Sequence, residues 1–166
     1  MKIYISIVLL LIASSGSWAQ QSVDIDKITS FHTFEFRSSP ESLPGKLTLD
    51  LTISFGVNYY KYDDRDLRAL YDNKIFDINL GYRDDLLEYV DFYFQRLNQA
   101  DFDRMKDELV KQYGDFIVIE AVEPGVEEAV RWEGNIVTID LYRYGNEAID
   151  LHDRNKTVLA ATKPIQ

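Results

Sequence analysis

Asp84-Asp85-Leu86-Leu87-Glu88-Tyr89-Val90-Asp91-Phe92-Tyr93-Phe94-Gln95-Arg96-Leu97 is the stretch on which the fold turns. At the helical period, Leu86, Leu87, Val90, Phe94 and Leu97 fall on one stripe. Asp84 and Asp85 then stand where the positive end of a helix dipole favours carboxylates. Tyr89, Phe92 and Tyr93 widen the apolar face, and they also permit a strand over residues 89–94. The expectation is a helix.

The segment after it is helical without ambiguity. Phe102, Met105, Leu109 and Tyr113 form a second stripe. Asn98 or Asp101 can cap its start, and Gly114 fits the left-handed position just past its end.

On the N-terminal side the period changes to two. Leu47, Leu49, Leu51, Ile53, Phe55, Val57 and Tyr59 alternate with polar residues or glycine. The pattern predicts one long strand with its odd-numbered side chains buried and a bend or bulge at Gly56. Leu67, Leu70 and Tyr71 fit a single helical turn, and Phe76, Ile78 and Leu80 another strand ending near Gly81. Residues 31–36 read as a short strand with His32, Phe34 and Phe36 on one face, followed by a Pro-, Ser- and Gly-rich loop over 38–45.

On the C-terminal side, residues 116–119, 130–132, 136–141 and 148–151 read as strands. The last two suit a hairpin. A Tyr144-Gly145-Asn146 loop puts Leu141 opposite Ile149 and Ile139 opposite Leu151, which keeps apolar faces together. Strands on either side of a helical pair predict an α+β fold: a mainly antiparallel sheet with two consecutive helices packed on one face.

The chain begins with the layout of a secretory signal peptide. Lys2 supplies charge, residues 3–13 form an apolar run of about eleven residues, and Ser17-Trp18-Ala19 offers a cleavage site. A membrane span needs about twenty residues. The expected organisation is therefore a signal peptide at 1–19, a polar leader at 20–30, one domain at 31–154 and a tail at 155–166 with little pattern.

There is no cysteine, so disulfides, thiolate metal sites and a cysteine nucleophile are excluded. Small secreted domains in oxidising compartments usually exploit disulfides. A cysteine-free exported chain therefore points to a bacterial periplasm or medium. The net charge is −10 over 166 residues, with 18 basic and 28 acidic side chains. Such a surface repels nucleic acid and anionic lipid, and no second segment suits stable membrane insertion.

Reaction motifs are missing: no phosphate loop, no His-Glu-x-x-His helix and no nucleophile elbow. Asp63-Asp64-Arg65-Asp66 lacks the spacing, the central Gly and the terminal Glu of a calcium loop. His32 reads as a packed histidine. In the expected hairpin, Asp140 faces Asp150 with His152 one step along, which makes a weak candidate for a metal or acid–base cluster. Paired-carboxylate hydrolysis has no specific signal among so many carboxylates. No cofactor is implied.

Aromatic residues reach 13 %, eleven of them Tyr and nine Phe. Tyr59, Tyr60 and Tyr62 cluster at the end of the long strand, and Tyr142 and Tyr144 at the hairpin tip. Tyr gives a large contact area with a polar handle. The expected function is an exported, non-catalytic binding domain for a basic protein or a glycan. The alternatives are an acidic inhibitor or immunity-type protein against a basic cell-wall enzyme, and a small hydrolase using His152.

Overall fold

The computed structural model describes residues 24–44, 46–53, 56–63, 66–120, 124–145 and 156–164. The expected signal peptide, Asp150, His152 and the strand at 148–151 lie outside the described residues. The elements are β1 (Ser30–Phe31), β2 (Phe34–Glu35), β3 (Leu47–Ile53), β4 (Val57–Tyr62), β5 (Ala69–Leu70), β6 (Asn73–Arg83), β7 (Leu86–Gln95), α1 (Gln99–Tyr113), β8 (Ile117–Val118), β9 (Val126–Glu133), β10 (Thr138–Tyr144) and β11 (Lys156–Thr162). β1 and β2 pair with each other. The rest form one antiparallel sheet in the order β3-β4-β6-β7-β11-β10-β9-β8, with β5 paired to β6 beside that path. Among the described residues, no helix is long and apolar enough to cross a membrane.

The expected pair of helices is corrected to one. Leu86–Gln95 is a strand, flanked by β6 on one side and β11 on the other. Val90 and Phe94 are four residues apart, so they satisfy both periods, and the apolar stripe could not separate them. Burial resolves it: Val90, Phe92 and Phe94 are buried while Tyr89, Asp91 and Tyr93 between them are half-buried. Asp84 and Asp85, expected at a helix start, have φ of 51° and 60°. They form the two-residue turn that passes β6 into β7, with Arg83 opposite Leu86. A short polar side chain tolerates that left-handed backbone, which matches the twist of the flanking strands. Tyr71 and Asp72 repeat the device between β5 and β6, at φ of 49° and 61°, where a helical turn was expected.

α1 forms as its sequence predicts. The Asn98 side chain accepts from the Asp101 backbone N–H at 3.0 Å, and Phe102, Met105 and Leu109 are buried. Gly114, at φ 87°, ends the helix and returns its N–H to the Val110 carbonyl.

The expected long strand folds back on itself. Gly56, at φ 75°, lies in a reversal, so β3 pairs with β4 from Leu47–Tyr62 to Ile53–Val57. A register shift between Leu49 and Leu51 leaves Asp50 as a bulge. The bulge splits the odd-numbered residues between two faces, Leu47 and Leu49 opposite Tyr62 and Tyr60 but Leu51 opposite Tyr59. Leu47 packs on the core and Val57 is buried, whereas Leu49 and Leu51 are 56 % and 55 % exposed. Alternation separates two faces but does not say whether either is covered, and β3 is an edge strand.

The core lies on one side of the sheet. α1 covers the β9–β10 half, where Phe102, Met105 and Leu109 join the core and the Lys106 ammonium donates to Glu128 at 2.6 Å. Trp132 donates its indole N–H to the Gly114 carbonyl at 2.8 Å. The N-terminal strap covers the other half. Phe31 and Phe34 each lie 5.9 Å from the Phe92 ring, and Phe34 meets Tyr62 edge-on at 4.9 Å. Phe31 is buried and His32, at φ 55° in the β1–β2 turn, is exposed. That replaces the expected His32, Phe34 and Phe36 face with Phe31, Phe34 and Phe36.

Two segments read as peripheral are built into the body. In the leader, Asp26 takes the backbone N–H groups of Asn135 and Ile136 at 2.8 Å each and of Val137 at 3.3 Å, plus the Asn135 amide at 2.9 Å. These hydrogen bonds, Asn135 first, hold its carboxyl down to about 2. Ile25 and Ile28 beside it pack on the core. The expected tail contains β11, which sits between β7 and β10 with Thr157, Val158, Leu159 and Ala161 buried. Leu159 and Ala161 face the core while Val158 and Ala160 on the other face pack against Tyr93, Tyr142 and Tyr144, so both faces are apolar and Val158-Leu159-Ala160-Ala161 carries no pattern at period two.

Candidate functional site: the open face of the sheet

Opposite the core, the registers align side chains in rows across the sheet. One row runs Tyr59, Gly81, Tyr89, Thr162 and Thr138. The next runs Lys61, Asn79, Asp91, Ala160, Asp140 and Arg131. A third runs Asp77, Tyr93, Val158, Tyr142 and Ala129. Residues two apart on a strand share a face, so the rows belong to one surface. Among the described residues, no helix or second sheet covers it.

Gly81 shapes one end. A Cβ there would lie 2.9 Å from the Tyr59 Cε1 atom and 2.9 Å from the Tyr89 Cδ2 atom. The two rings lean over the bare glycine with centroids 5.9 Å apart. At the other end Tyr142 and Tyr144 also stand 5.9 Å apart, packed with Tyr93 and Val158. Burial pushes the Tyr142 phenol up to about 12, with Asp140 adding to the shift. Tyr59 is raised further, by burial and then by Asp91. Both phenols are neutral hydrogen-bonding groups at ordinary pH.

The charges on this face are matched one to another. Arg131 donates to both Asp140 oxygens, at 2.6 and 2.9 Å, and the Tyr142 hydroxyl donates to the same carboxylate at 2.9 Å. Asp140 in turn holds the guanidinium above its ordinary value. Lys61 stands 3.6 Å from Asp77 and 3.8 Å from Asp50. Arg83 donates to Glu88 at 2.7 Å and to the Tyr89 hydroxyl at 3.2 Å. The Lys156 ammonium lies over the Phe76 ring at 4.8 Å and the Tyr93 ring at 5.5 Å. The aromatic face is thus close to neutral in a chain of net charge −10, and most of the acidic surplus lies elsewhere.

Asn79 sits in the middle of the second row. It is 9 % exposed, and its Oδ1 is buried without a hydrogen-bond partner.

The structure divides the tyrosines singled out in the sequence. Tyr59, Tyr142 and Tyr144 belong to the open face. Tyr60 and Tyr62 turn to the core side, Tyr60 edge-on to Tyr82 at 5.5 Å and Tyr62 against Phe34. Neighbours on a strand point to opposite faces, so Tyr59 and Tyr60 could not act together. Asn79 and Gly81 were missed because an expected strand does not say which of its faces stays open, and Tyr89 and Tyr93 because residues 86–97 were given to a helix. The alternation of Tyr89, Asp91 and Tyr93 was the signal for them.

The carboxylate cluster is corrected at Asp140. Its cross-strand neighbours are Arg131 and Ala160, not Asp150, so the repulsion that motivated a metal or acid–base cluster is replaced by a bidentate ion pair. Asp150 and His152 lie outside the described residues. Among the described residues no group of His, Asp and Glu is placed to hold a metal ion. An open depression of about 440 Å³ lies by the sheet edge, lined by Asp115, Ile117, Arg131, Glu133, Gly134 and Asn135. A second, of about 200 Å³, lies among Lys61, Tyr62, Asp63, Leu67, Arg68 and residues 75–78. Neither lining includes a nucleophile beside a base. No protein-family model, no curated protein and no solved structure matches this chain.

Proposed function

We propose that the protein is an exported, non-catalytic binding domain whose ligand docks on the open face of the sheet. The observation that carries this reading is one sheet face that no described element covers, on which Tyr59, Tyr89, Tyr93 and Tyr142 lie half-buried among mutually paired charges. A broad, rigid surface with aromatic contact area and fixed polar groups suits recognition. Export rests on the signal-peptide layout of residues 1–19. Because the charges of this face are already paired within the molecule, its binding should resist salt. The acidic-inhibitor alternative requires the opposite behaviour.

The test is capture from native envelope extract on the immobilised mature chain, beside a Tyr59→Ala/Tyr89→Ala variant. The expected result is capture that survives about 1 M salt, where exposed charges are screened within about 3 Å, and that is lost in the variant. Capture abolished by salt and unchanged in the variant would move the function to the acidic surface and overturn this reading.

A further inference from the structure

We propose that β8 is a dimer edge, which pairs antiparallel with β8 of a second copy about a twofold axis at Val118. β8 ends the sheet, and among the described residues no strand lies beyond it. Its pairing with β9 fixes which main-chain groups point outward. Ile117 faces Arg131 and Val118 faces Val130, and the Ile119 N–H donates to the Ala129 carbonyl at 3.0 Å. Hydrogen-bonded positions alternate along an antiparallel ladder, so Ile117 and Ile119 bond to β9 while the N–H and C=O of Val118 point away from it. The side chains there are apolar and uncovered: Ile117 is 53 % and Val118 76 % exposed. Phe116-Ile117-Val118-Ile119 is thus an uncharged run of strand-forming residues at a free edge, a template for another strand. The opposite edge differs. β3 exposes Leu49 and Leu51, but the bulge at Asp50 interrupts its ladder and protects it from pairing.

The segment is complementary to itself. With Val118 opposite Val118 of the second copy, the two residues exchange both main-chain hydrogen bonds, and Phe116 exchanges two more with Glu120 of the second copy at either end. Ile117 then stands opposite Ile119 of the second copy on one face, and the two Val118 side chains meet on the other. The flanking residues Asp115 and Glu120 are acidic, yet Glu120 falls opposite Phe116, so no carboxylate of this ladder directly faces another. Two copies of net charge −10 repel through most of their surface, and this uncharged edge is where they can meet. α1 covers β9 and β10 and not β8, so the two helices stand four strand spacings apart, about 19 Å, and clear each other. The axis is perpendicular to the sheet, so the two open faces look the same way and join into one surface. A ladder of about five residues buries less than the about 1,200 Å² of a standard complex, so the dimer is a weak and reversible one.

The experiment is analytical ultracentrifugation of the mature chain from about 10 μM to about 1 mM, at salt from about 0.05 M to about 0.5 M. The expected result is a monomer–dimer equilibrium that tightens with salt, because salt screens the repulsion between acidic copies and leaves the ladder intact. Val118→Pro deletes an N–H that β9 does not use, and Val118→Lys sets two ammonium groups face to face. Each should weaken dimerisation at least about tenfold, while the melting temperature of the monomer moves by no more than a few degrees. If Val118→Pro fails to fold, Val118→Lys decides. Leu51→Lys at the other edge and Tyr59→Ala/Tyr89→Ala on the open face should leave the dimer as it is. A chain that stays monomeric throughout, or a dimer that salt dissolves, overturns the proposal. So does a dimer that Leu51→Lys or the tyrosine pair breaks and the Val118 variants do not. If the wild type never dimerises and Val118→Pro instead loses a protein captured from envelope extract, the edge belongs to a foreign strand and the proposal falls.

Discussion

The two faces of this sheet use the same residue types for opposite ends. On the core face, Phe92 of β7 meets Phe31 and Phe34 at 5.9 Å and is sealed beneath the N-terminal strap. One residue along, Asp91 lies on the open face with Tyr89 and Tyr93, and no described element covers them. Aromatic rings contribute to stability on the first face and to a surface on the second. What separates them is not composition but which face α1 and the strap close over.

The largest expected break in that contrast is Phe92→Ala. Truncating a buried Phe costs about 3–5 kcal/mol, a large part of the about 5–15 kcal/mol that holds a domain together. Asp91→Asn, on the opposite face, should stay within about 0.5 kcal/mol. Urea unfolding of both variants measures this, and equal losses would mean that the faces are not distinct.

Gly81→Ala comes next. Its Cβ would meet both open-face rings at 2.9 Å, so Tyr59 and Tyr89 must move. Crowding of this kind costs about 1–3 kcal/mol. A melt together with near-ultraviolet circular dichroism should show a lower midpoint and an altered tyrosine signal. An unaltered tyrosine signal would mean that the rings do not rest on the glycine.

Asp26→Asn sharpens the role of the strap. The Asp26 carboxyl is held down from 3.8 to about 2 by the backbone N–H groups of Asn135 and Ile136. A carboxyl lowered on folding stabilises fully above its unfolded value, and the effect fades as pH falls through the folded one. The melting gap between wild type and variant should therefore be open at pH 7 and shrink between about pH 4 and pH 2. A gap independent of pH across that window would show that the carboxylate charge is not what anchors the strap.

The smallest effect is expected at Leu51→Asp. The side chain is 55 % exposed on the edge strand, and such surface changes stay within about 0.5 kcal/mol. Strong destabilisation in urea would show that something covers β3 in solution.

Some of this was legible in the residues alone. Asn98, the Phe102, Met105 and Leu109 stripe and Gly114 define α1 through local hydrogen bonds and one period, so no distant contact was needed. The strands around Ile78, Val130 and Leu141 announced themselves by alternation. Of the open face, Tyr59, Tyr142 and Tyr144 were visible as aromatic clusters, but not that Tyr60 and Tyr62 belong to the other side.

The remainder was decided by tertiary structure. Residues 86–95 fit both periods, and β6 and β11 on either side made them a strand. Val158-Leu159-Ala160-Ala161 became a central strand because β7 and β10 offered two open ladders. Asp26 gained its place from a turn more than a hundred residues away in the chain. Backbone period and capping are properties of neighbours in sequence and can be read there. Which face is covered, which strand is central and which acceptor is left orphaned depend on contacts between distant segments, and those exist only once the chain has folded.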